Sequence, residues 1–262
     1  MGSTTELFTE KSEAYAKYRS GYPQELINEI VNPFVGSKTI KAADIGAGTG
    51  ISSRLLADAG CTVTAVEPNQ AMAEAAADHQ GVEFKIQPAE TTGLPDSSMD
   101  IVSSFQAFHW FNFAKSLAEF NRVLKKDGKL ALVWSYWNEE DPFTKKYIDL
   151  ISNATNKNPD SVSPYDGFPS GFIKKWRIRF LWKFKTLPYF KEVRRHRYIY
   201  TEEMNEESMI GLALSQSYLV HEGKLWDELC DKIRDLAAEG AADGEPARFS
   251  YKVNAFTAKP VK

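Results

Sequence analysis

The chain has 262 residues, of which 43% are hydrophobic, and a formal net charge of −3. This length fits one large α/β domain, or one domain with an inserted cap. The weak acidity argues against a polycation that binds nucleic acid or membranes. The sequence has neither a run of about 18 apolar residues nor an apolar N-terminal signal core. Cys61 and Cys230 lie far apart and lack metal-ligand spacing. We therefore expect a cytoplasmic protein that binds no metal.

Two helical patterns precede the first predicted strand, within residues 1–37. The first runs from Glu6 to Tyr18 and is broken at Gly21-Tyr22-Pro23. The second runs from Pro23 to Val31 and keeps its apolar residues on one face, as amphipathic helices do. Residues 1–37 form the first predicted segment.

Strand and helix patterns alternate through residues 38–140, the second predicted segment. Such alternation is typical of a parallel sheet with right-handed crossovers. The predicted strands are Thr39–Ile45, Thr62–Glu67, Val82–Gln87, Met99–Phe105 and Lys129–Trp137, and the predicted helices are Ser52–Ala59, Gln70–Asp78 and Phe113–Leu124.

Residues 141–197 break this alternation and are interpreted as a cap or substrate insertion. They hold a short helical pattern around Phe143–Ala154, a stretch rich in Pro, Ser and Gly, and a basic, aromatic run. Residues 198–262 are expected to rejoin the same domain as C-terminal helices and a closing strand. The patterns there and just before predict strands over Glu192–Thr201 and Arg248–Ala258 and helices over Glu206–Tyr218 and Lys224–Ala238.

The most informative segment is Ala43–Gly50, an apolar run that ends in Asp44 and a turn with glycine at every second position. Glu67 follows Gly50 by 17 residues, about the spacing that lets a second strand offer a carboxylate to a ribose. Asp44 lies where a diphosphate would otherwise sit, so a phosphate ligand fits poorly. A ligand with a ribose and a cationic amino group fits better, and S-adenosylmethionine (SAM) has both.

This pattern resembles the signature of class I SAM-dependent methyltransferases; a glycine turn of another α/β enzyme is the alternative. The resemblance implies a Rossmann-like α/β fold, with a seven-stranded mixed sheet flanked by helices. The last two strands would form an antiparallel hairpin at the sheet edge. Asp44 is then expected to meet the SAM amino group, directly or through water. Gly46, Ala47 and Gly48 would pass beneath the methionine moiety, and Glu67 would accept both ribose hydroxyls, unless it is a helix cap or a solvated carboxylate.

Two further segments are expected to hold the adenine. Pro68 and Met72 lie at the turn after the second predicted strand, where Met72 either flanks the adenine or joins the core. Residues 87–90, Gln-Pro-Ala-Glu, resemble the Gly-x-Ala-Glu-x-Leu-Pro pattern of these enzymes, with two extra residues before Leu-Pro. By that match Ala89 contributes its backbone and Glu90 its side chain to the exocyclic amine of adenine.

The string Gln-Ala-x-His-Trp-Phe at 106–111 resembles the methyltransferase type 11 group, in the subset that includes trans-aconitate methyltransferase. These residues would face the reactive methyl group. Gln106 is assigned to the cofactor site. His109 is the catalytic candidate, because histidine suits general-base work near neutral pH; a structural or acceptor-positioning role is the alternative.

The resemblance extends to both ends of the chain. Tyr15-x-x-Tyr18-Arg19-x-x-Tyr22-Pro23 looks like an element of this group, in which the N-terminal helix closes over the cofactor as a lid. By that match Tyr18 and Arg19 approach SAM, and Arg19 pairs with its carboxylate. A Ser-x-Ser-Tyr element ends at Tyr218. The residues expected near the acceptor, as substrate contacts, are Trp110, Trp137 and Tyr218.

The basic, aromatic run at 174–197 contains ten Lys or Arg and one acidic residue. It is either an anion-binding wall of the acceptor pocket, a nucleic-acid contact, a membrane-facing surface or a solvated cap with its aromatics turned inward. The sequence leaves these readings open.

Taken together, the sequence predicts SAM-dependent methyl transfer to a small-molecule acceptor by direct SN2 displacement, with S-adenosylhomocysteine as by-product. A carboxylate acceptor would give a methyl ester. The alternatives are an RNA or protein methyltransferase that docks through 174–197, and a non-catalytic SAM-binding protein. No Asn/Asp-Pro-Pro-Tyr/Phe motif follows the fourth predicted strand, so no nucleic-acid partner is expected.

Overall fold

The computed structural model describes residues 17–157, 184, 188–216, 219, 221–241 and 246–262. They divide into two compact units. The core unit contains the described residues of 21–135, 181–198 and 253–262, and the second unit contains those of 17–20, 136–157, 199–241 and 246–252. The four segments predicted from the sequence have other limits, and they stay a prediction. Among the described residues, no helix has both the length and the apolar character needed to cross a bilayer.

Seven strands form one sheet in the order β3-β2-β1-β4-β5-β7-β6. Their bounds are β1 Ile40–Ile45, β2 Cys61–Val66, β3 Val82–Lys85, β4 Met99–Phe105, β5 Leu124–Trp137, β6 Phe190–Met204 and β7 Ala247–Pro260.

Seven helices of the described chain accompany the strands. Their bounds are α1 Gln24–Val31, α2 Ile51–Asp58, α3 Gln70–Glu74, α4 Phe113–Val123, α5 Pro142–Lys157, α6 Glu206–Leu214 and α7 Lys224–Gly240, with short 3₁₀ helices at Asn32–Phe34 and Phe108–Trp110.

The sheet is mixed. β1 pairs in parallel with β2 and β4, β2 with β3, and β4 with β5. Contacts along β7 show that it runs antiparallel to its neighbours β5 and β6. The N–H of Asn138 donates to Ser250, whereas Trp134, earlier in β5, packs against Phe256, later in β7. On the other side, the N–H of Val261 donates to Tyr189 just before β6. The seven-stranded mixed sheet expected from the resemblance is confirmed.

The central strands are buried on both faces, as parallel strands covered by helices require. All seven residues of β4 are buried, as are the last four residues of β1. The first turns of two helices are fixed by asparagine side chains. Asn69 accepts hydrogen bonds at the start of α3, and Asn112 does so at the start of α4. These caps satisfy N–H groups that have no partner inside the helix.

The main error in the predicted elements lies between α4 and β5. The predicted helix Phe113–Leu124 and strand Lys129–Trp137 leave residues 125–128 as the polar, glycine-containing end of the helix, but β5 already begins at Leu124. Lys125 instead forms an ion pair with Asp100. A Cβ on Gly128 would lie 3.1 Å from the carbonyl oxygen of Asp100, so the glycine permits close backbone approach. Smaller differences are the ends of α3, β3 and α6, which come earlier than predicted.

The second unit has its own hydrophobic core, built from α5, α6, α7 and the start of β7. Tyr147 of α5 is fully buried in it, and its hydroxyl donates to the carbonyl oxygen of Met209 at 2.8 Å. The ring of Tyr147 packs edge-on against Phe249, with centroids 5.1 Å apart. A polar group can lie in this core because the hydrogen bond offsets its desolvation.

We expect the Tyr147→Phe variant to unfold at a lower urea concentration than the wild type. The change leaves the Met209 carbonyl oxygen buried without this donor, which costs about 1–2 kcal/mol of unfolding free energy. The matched control is Tyr200→Phe, because the Tyr200 hydroxyl bonds Glu202 at a half-buried position; its effect should stay within about 0.5 kcal/mol. Equal losses in both variants would contradict the assignment of Tyr147 as a core anchor.

Candidate cofactor and acceptor site

The glycine turn between β1 and α2 brings three chain segments together. Gly46 has φ of 70°, a left-handed conformation that glycine adopts without a Cβ penalty. Its N–H donates to the carbonyl oxygen of Val66 at the end of β2. A Cβ on Gly46 would lie 2.5 Å from the Cβ of Ala107 and 2.8 Å from Cζ of Phe111. The first glycine therefore lets the segment after β4 pack directly on the turn.

The carboxylate of Asp44 is completely buried beneath this turn. Its Oδ2 accepts hydrogen bonds from the hydroxyls of Ser52 and Ser53, at 2.6 and 2.7 Å, and its Oδ1 accepts one from Ser103 at 2.9 Å. Burial raises the pKa of Asp44 and the nearby charge of Glu67 raises it further, whereas the serine hydrogen bonds lower it. In this structure Asp44 therefore joins β1, α2 and β4. Its predicted contact with the SAM amino group stays a prediction.

These three serines are not among the site residues predicted from the sequence. Ser52 and Ser53 lie in the first turn of the helix that follows the glycines, where hydroxyls commonly occur. Ser103 is the β4 partner of Asp44 in the parallel register. A predicted β1–β4 pairing with the correct register would have identified Ser103.

Glu67 lies directly after β2 and is 8% exposed. Its Oε2 accepts the N–H of Gly48 and its Oε1 accepts the N–H of Asn69, both at 2.9 Å. Met72 also reaches the turn, since its Cε lies 3.4 Å from where a Cβ on Gly48 would be. Pro68, between Glu67 and Asn69, is exposed. The structure thus brings the predicted Gly48, Glu67 and Met72 together, and each Glu67 oxygen retains acceptor capacity.

Ala89 and Glu90 follow β3, and Ala89 is buried. Glu90 accepts the N–H of Asn112 at 2.6 Å and the hydroxyl of Ser116 at 3.4 Å. It therefore places a carboxylate at the start of α4, where the helix dipole favours negative charge. This structural role was not expected from the sequence, and the predicted adenine contact stays a prediction.

The segment after β4 carries the predicted catalytic and substrate residues. Gln106 has φ of 56°, an unusual conformation for a residue other than glycine, and its amide donates to the carbonyl oxygen of Ser135 at 2.6 Å. His109 accepts at Nδ1 a hydrogen bond from Nε1 of Trp134, with 3.3 Å between the nitrogens. Burial lowers the pKa of His109 to about 4. Trp110 is 72% exposed, and its ring centroid lies 4.9 Å from that of His109.

Comparisons with known proteins identify methyltransferases that resemble this chain. Residues 43–132 match the methyltransferase domain family known as type 11. The chain is a SAM-dependent methyltransferase. It is 29% identical over 229 residues to an uncharacterized methyltransferase of Mycobacterium tuberculosis, covering 86% of this chain and 83% of that protein. It is 36% identical over 125 residues to a putative methyltransferase of Dictyostelium discoideum, covering 48% and 47%.

Solved structures show the same fold. A putative type II methyltransferase from Anaeromyxobacter dehalogenans aligns with a TM-score of 0.62 at 23% identity, covering 92% of this chain and 98% of that one. A putative methyltransferase from an antibiotic biosynthesis pathway of Anabaena variabilis aligns with a TM-score of 0.56 at 21% identity, covering 87% and 96%. The narrower likeness to trans-aconitate methyltransferase stays a prediction.

The residues around the glycine turn of the methyltransferase fit SAM. Asp44 and Glu67 are close enough that the charge of Glu67 raises the pKa of Asp44. A ligand with positive charge relieves this repulsion, and SAM carries a positive sulfonium and amino group. The described residues contain no group of three or more His, Cys, Asp and Glu side chains arranged to hold a metal ion.

The N-terminal residues of the methyltransferase that the structure describes, 17–20, lie in the second unit. The Tyr18 hydroxyl donates to Glu207 at 2.9 Å, and the Tyr18 ring packs against Gly211 of α6. Arg19 donates to the carbonyl oxygen of Ser215 and to Oε1 of Gln216, at 3.3 and 3.2 Å. Tyr18 and Arg19, which were expected to belong to a lid, are therefore anchored to α6 and the residues after it.

Two predicted substrate residues remain. Trp137 lies in the second unit, where its ring packs edge-on against Tyr147 and Phe249 with centroid distances of 5.5 and 6.0 Å. Tyr218 lies outside the described residues. The core unit holds the predicted residues from Asp44 to Trp110, and the second unit holds Tyr18, Arg19 and Trp137.

The contact between Tyr18 and Gly211 gives a test of this anchoring. An alanine in a helix interior is normally about 1 kcal/mol more favourable than glycine. A Cβ at Gly211 would lie 2.3 Å from the Tyr18 ring, however, and must displace it. We expect Gly211→Ala to lower the melting temperature in the wild-type chain but to raise it in a Tyr18→Ala background. Stabilisation of similar size in both backgrounds would contradict the packing.

Proposed function

We propose that the enzyme transfers the methyl group of SAM to a small-molecule acceptor, and that the acceptor group is a carboxylate, which becomes a methyl ester. The observation that carries this proposal is the packing of the Gln106–Phe111 segment on the glycine turn. Ala107 and Phe111 pack against the backbone of Gly46. Half-buried His109 and exposed Trp110 therefore lie at the carboxyl edge of the sheet, as Glu67 does. Ligands of open α/β sheets bind at this edge.

In the proposed complex the residues of the turn hold SAM. Glu67 accepts the ribose hydroxyls, Met72 flanks the adenine, and Ala89 and Glu90 contact its exocyclic amine. Gly46, Ala47 and Gly48 lie beneath the methionine moiety, near Asp44. Gln106 completes the cofactor site, and by the resemblance Tyr18 and Arg19 would also approach SAM. When bound, SAM supplies a methyl group on positively charged sulfur.

His109 and Trp110 are proposed to lie on the acceptor side, and the predicted acceptor contacts of Trp137 and Tyr218 are kept as part of the proposal. A carboxylate is already anionic at neutral pH, so the transfer needs alignment and exclusion of water more than a base. A His109 that stays neutral near pH 7 suits such a reaction. We further propose that the protein acts in the cytoplasm, because Cys61 and Cys230 are both free and buried.

The described part of the basic run is only partly engaged within the core unit. On β6, Arg195 donates to Asn254 at 2.6 Å and His196 lies 3.0 Å from the hydroxyl of Thr257, whereas Lys191, Arg194 and Arg197 are exposed. Residues 174–183 and 185–187 of the run lie outside the described residues. We retain the small-molecule acceptor because of the packing of the Gln106–Phe111 segment on the glycine turn, and docking of RNA or protein through the exposed cations is the alternative.

Incubation with methyl-labelled SAM and a fractionated extract of the source organism tests the acceptor. We expect label in the small-molecule fraction, released as methanol by mild base because methyl esters are base-labile. Heat-denatured enzyme is the control. Label found mainly in acid-precipitable material would contradict the small-molecule assignment, and base-stable label would contradict the carboxylate.

The Glu67→Gln variant tests the cofactor site. An amide has one acceptor oxygen instead of two, so it cannot hold the turn N–H groups and two ribose hydroxyls equally well. We expect the Kd for SAM, measured by calorimetry, to rise about tenfold or more, which corresponds to about 1.4 kcal/mol. The matched control is Glu74→Gln, an exposed position on α3 that bonds Gln70. A Kd for Glu67→Gln within about twofold of wild type would remove Glu67 from the proposed site.

A further inference from the structure

The hydrogen bond between Trp134 and His109 fixes which nitrogen of the histidine carries the proton. An indole nitrogen is only a donor. Because Nε1 of Trp134 donates to Nδ1 of His109, Nδ1 must be the unprotonated nitrogen. In a neutral imidazole the proton then lies on Nε2, which is a donor and not an acceptor.

The surroundings keep this pair in place. Trp134 belongs to β5 and is 4% exposed. Its ring contacts Phe108 and Phe256 edge-on, with centroids 6.4 and 6.0 Å apart. His109 lies in the 3₁₀ turn Phe108–Trp110, so its backbone is held next to the buried Phe108. The indole donor is thus positioned by the core and not by solvent.

The histidine also resists protonation. Burial alone lowers the pKa of His109 to about 4, and the rings of Trp110 and Trp134, which lie against it, carry no charge. Protonation of His109 would put a hydrogen on Nδ1, and Nδ1 already faces the N–H of Trp134. Geometry and desolvation therefore favour the same neutral form.

We propose that Trp134 is a positioning residue that holds His109 as a neutral Nε2–H donor, and that His109 binds an anionic oxygen of the methyl acceptor instead of removing a proton from it. This inference rests on the proposed function and deepens it by assigning roles to Trp134 and His109. The acceptor is an oxygen acid that is ionised before it binds, with an ionised carboxylate as the simplest case, and not a neutral amine or alcohol.

The chemistry balances without a base. An electron pair of the acceptor oxygen forms the new O–C bond while the C–S bond breaks, and the pair of that bond goes to sulfur. The products are the methyl ester and S-adenosylhomocysteine, and no proton leaves. Methylation of a neutral amine or alcohol does release a proton, and a histidine with Nδ1 engaged and Nε2 protonated is poorly built to accept it.

The state of His109 is measured by ¹⁵N NMR of the full-length protein labelled at its four histidines. His109→Gln assigns the resonances by their loss. We expect an Nε2–H tautomer that does not titrate through neutral pH in the wild type, and a mixture of tautomers in Trp134→Phe. The control is Trp226→Phe, which should disturb His221, its ring neighbour, and leave His109 unchanged. An Nδ1–H tautomer, or titration near the ordinary histidine pKa, would overturn the proposal.

A kinetic series tests the role. The labelled small-molecule extract is used at several dilutions, so that its apparent KM and the maximal rate are separated. We expect His109→Ala to raise the apparent KM about tenfold, and His109→Gln, which keeps an N–H donor, to raise it less. Trp134→Phe should raise it about fivefold, with the Kd for SAM unchanged. Equal losses in Ala and Gln variants, or a change confined to the maximal rate, would overturn the donor role.

The atom of the product that carries the label distinguishes a failure of this proposal from a failure of the proposed function. Label recovered on oxygen as a base-labile ester supports both. Label recovered on nitrogen overturns the anionic oxygen acceptor in both proposals, while small-molecule methyl transfer still stands. If no fraction is labelled, the proposed function fails, and the NMR measurement alone decides the state of His109.

Discussion

The buried carboxylate of Asp44 joins the elements on which the site depends. A charge in the interior is costly unless hydrogen bonds compensate for the lost water, and here three serine hydroxyls do so from two different elements. Ser52 and Ser53 fix the start of α2, and Ser103 fixes β4 against β1. The backbone of the glycine turn is held between these attachments, so the position of the turn follows from Asp44.

A second layer of the site follows from that fixed turn. Gly46 leaves room for Ala107 and Phe111, which brings the segment after β4 onto the turn. Glu67 accepts the N–H of Gly48 from the other side. The same glycines thus serve internal packing as well as the approach of a ligand. In the proposed complex, a substitution in the turn would disturb the fold and the cofactor together, so binding and stability must be measured side by side.

Much of the core could be predicted from periodicity and order along the chain. β4 was predicted with its observed bounds, and β1, β2 and α4 within one residue, because each is a continuous apolar or amphipathic run between strong turn residues. β5 was placed too late because Gly128, a usual helix terminator, here relieves crowding inside a strand. Local patterns cannot fully distinguish these uses of glycine, since Asp100, a distant residue, crowds this position together with the neighbouring Leu124 and Lys125.

The candidate site shows the same limit. The spacing of Asp44, the glycines and Glu67 is local, and it was sufficient to indicate the cofactor. The partners of those residues are not local. Ser103 meets Asp44 only through strand register, and Glu90 meets Asn112 only because α4 begins beside it. The sequence could therefore identify the residues at the site but not the hydrogen-bond partner of each one.

The hydrogen-bond partner of His109 changes the chemistry expected of it. From the sequence alone, a histidine beside the expected methyl group is a general-base candidate. The indole of Trp134, 25 residues further along the chain, changes that expectation because it occupies the nitrogen that a base would use. In the proposed complex a neutral ring has a further advantage, since a protonated imidazole would lie near the positive sulfonium of SAM and like charges repel strongly where water is excluded. An aromatic environment that keeps His109 neutral therefore favours binding of the methyl donor as well as of an anionic acceptor.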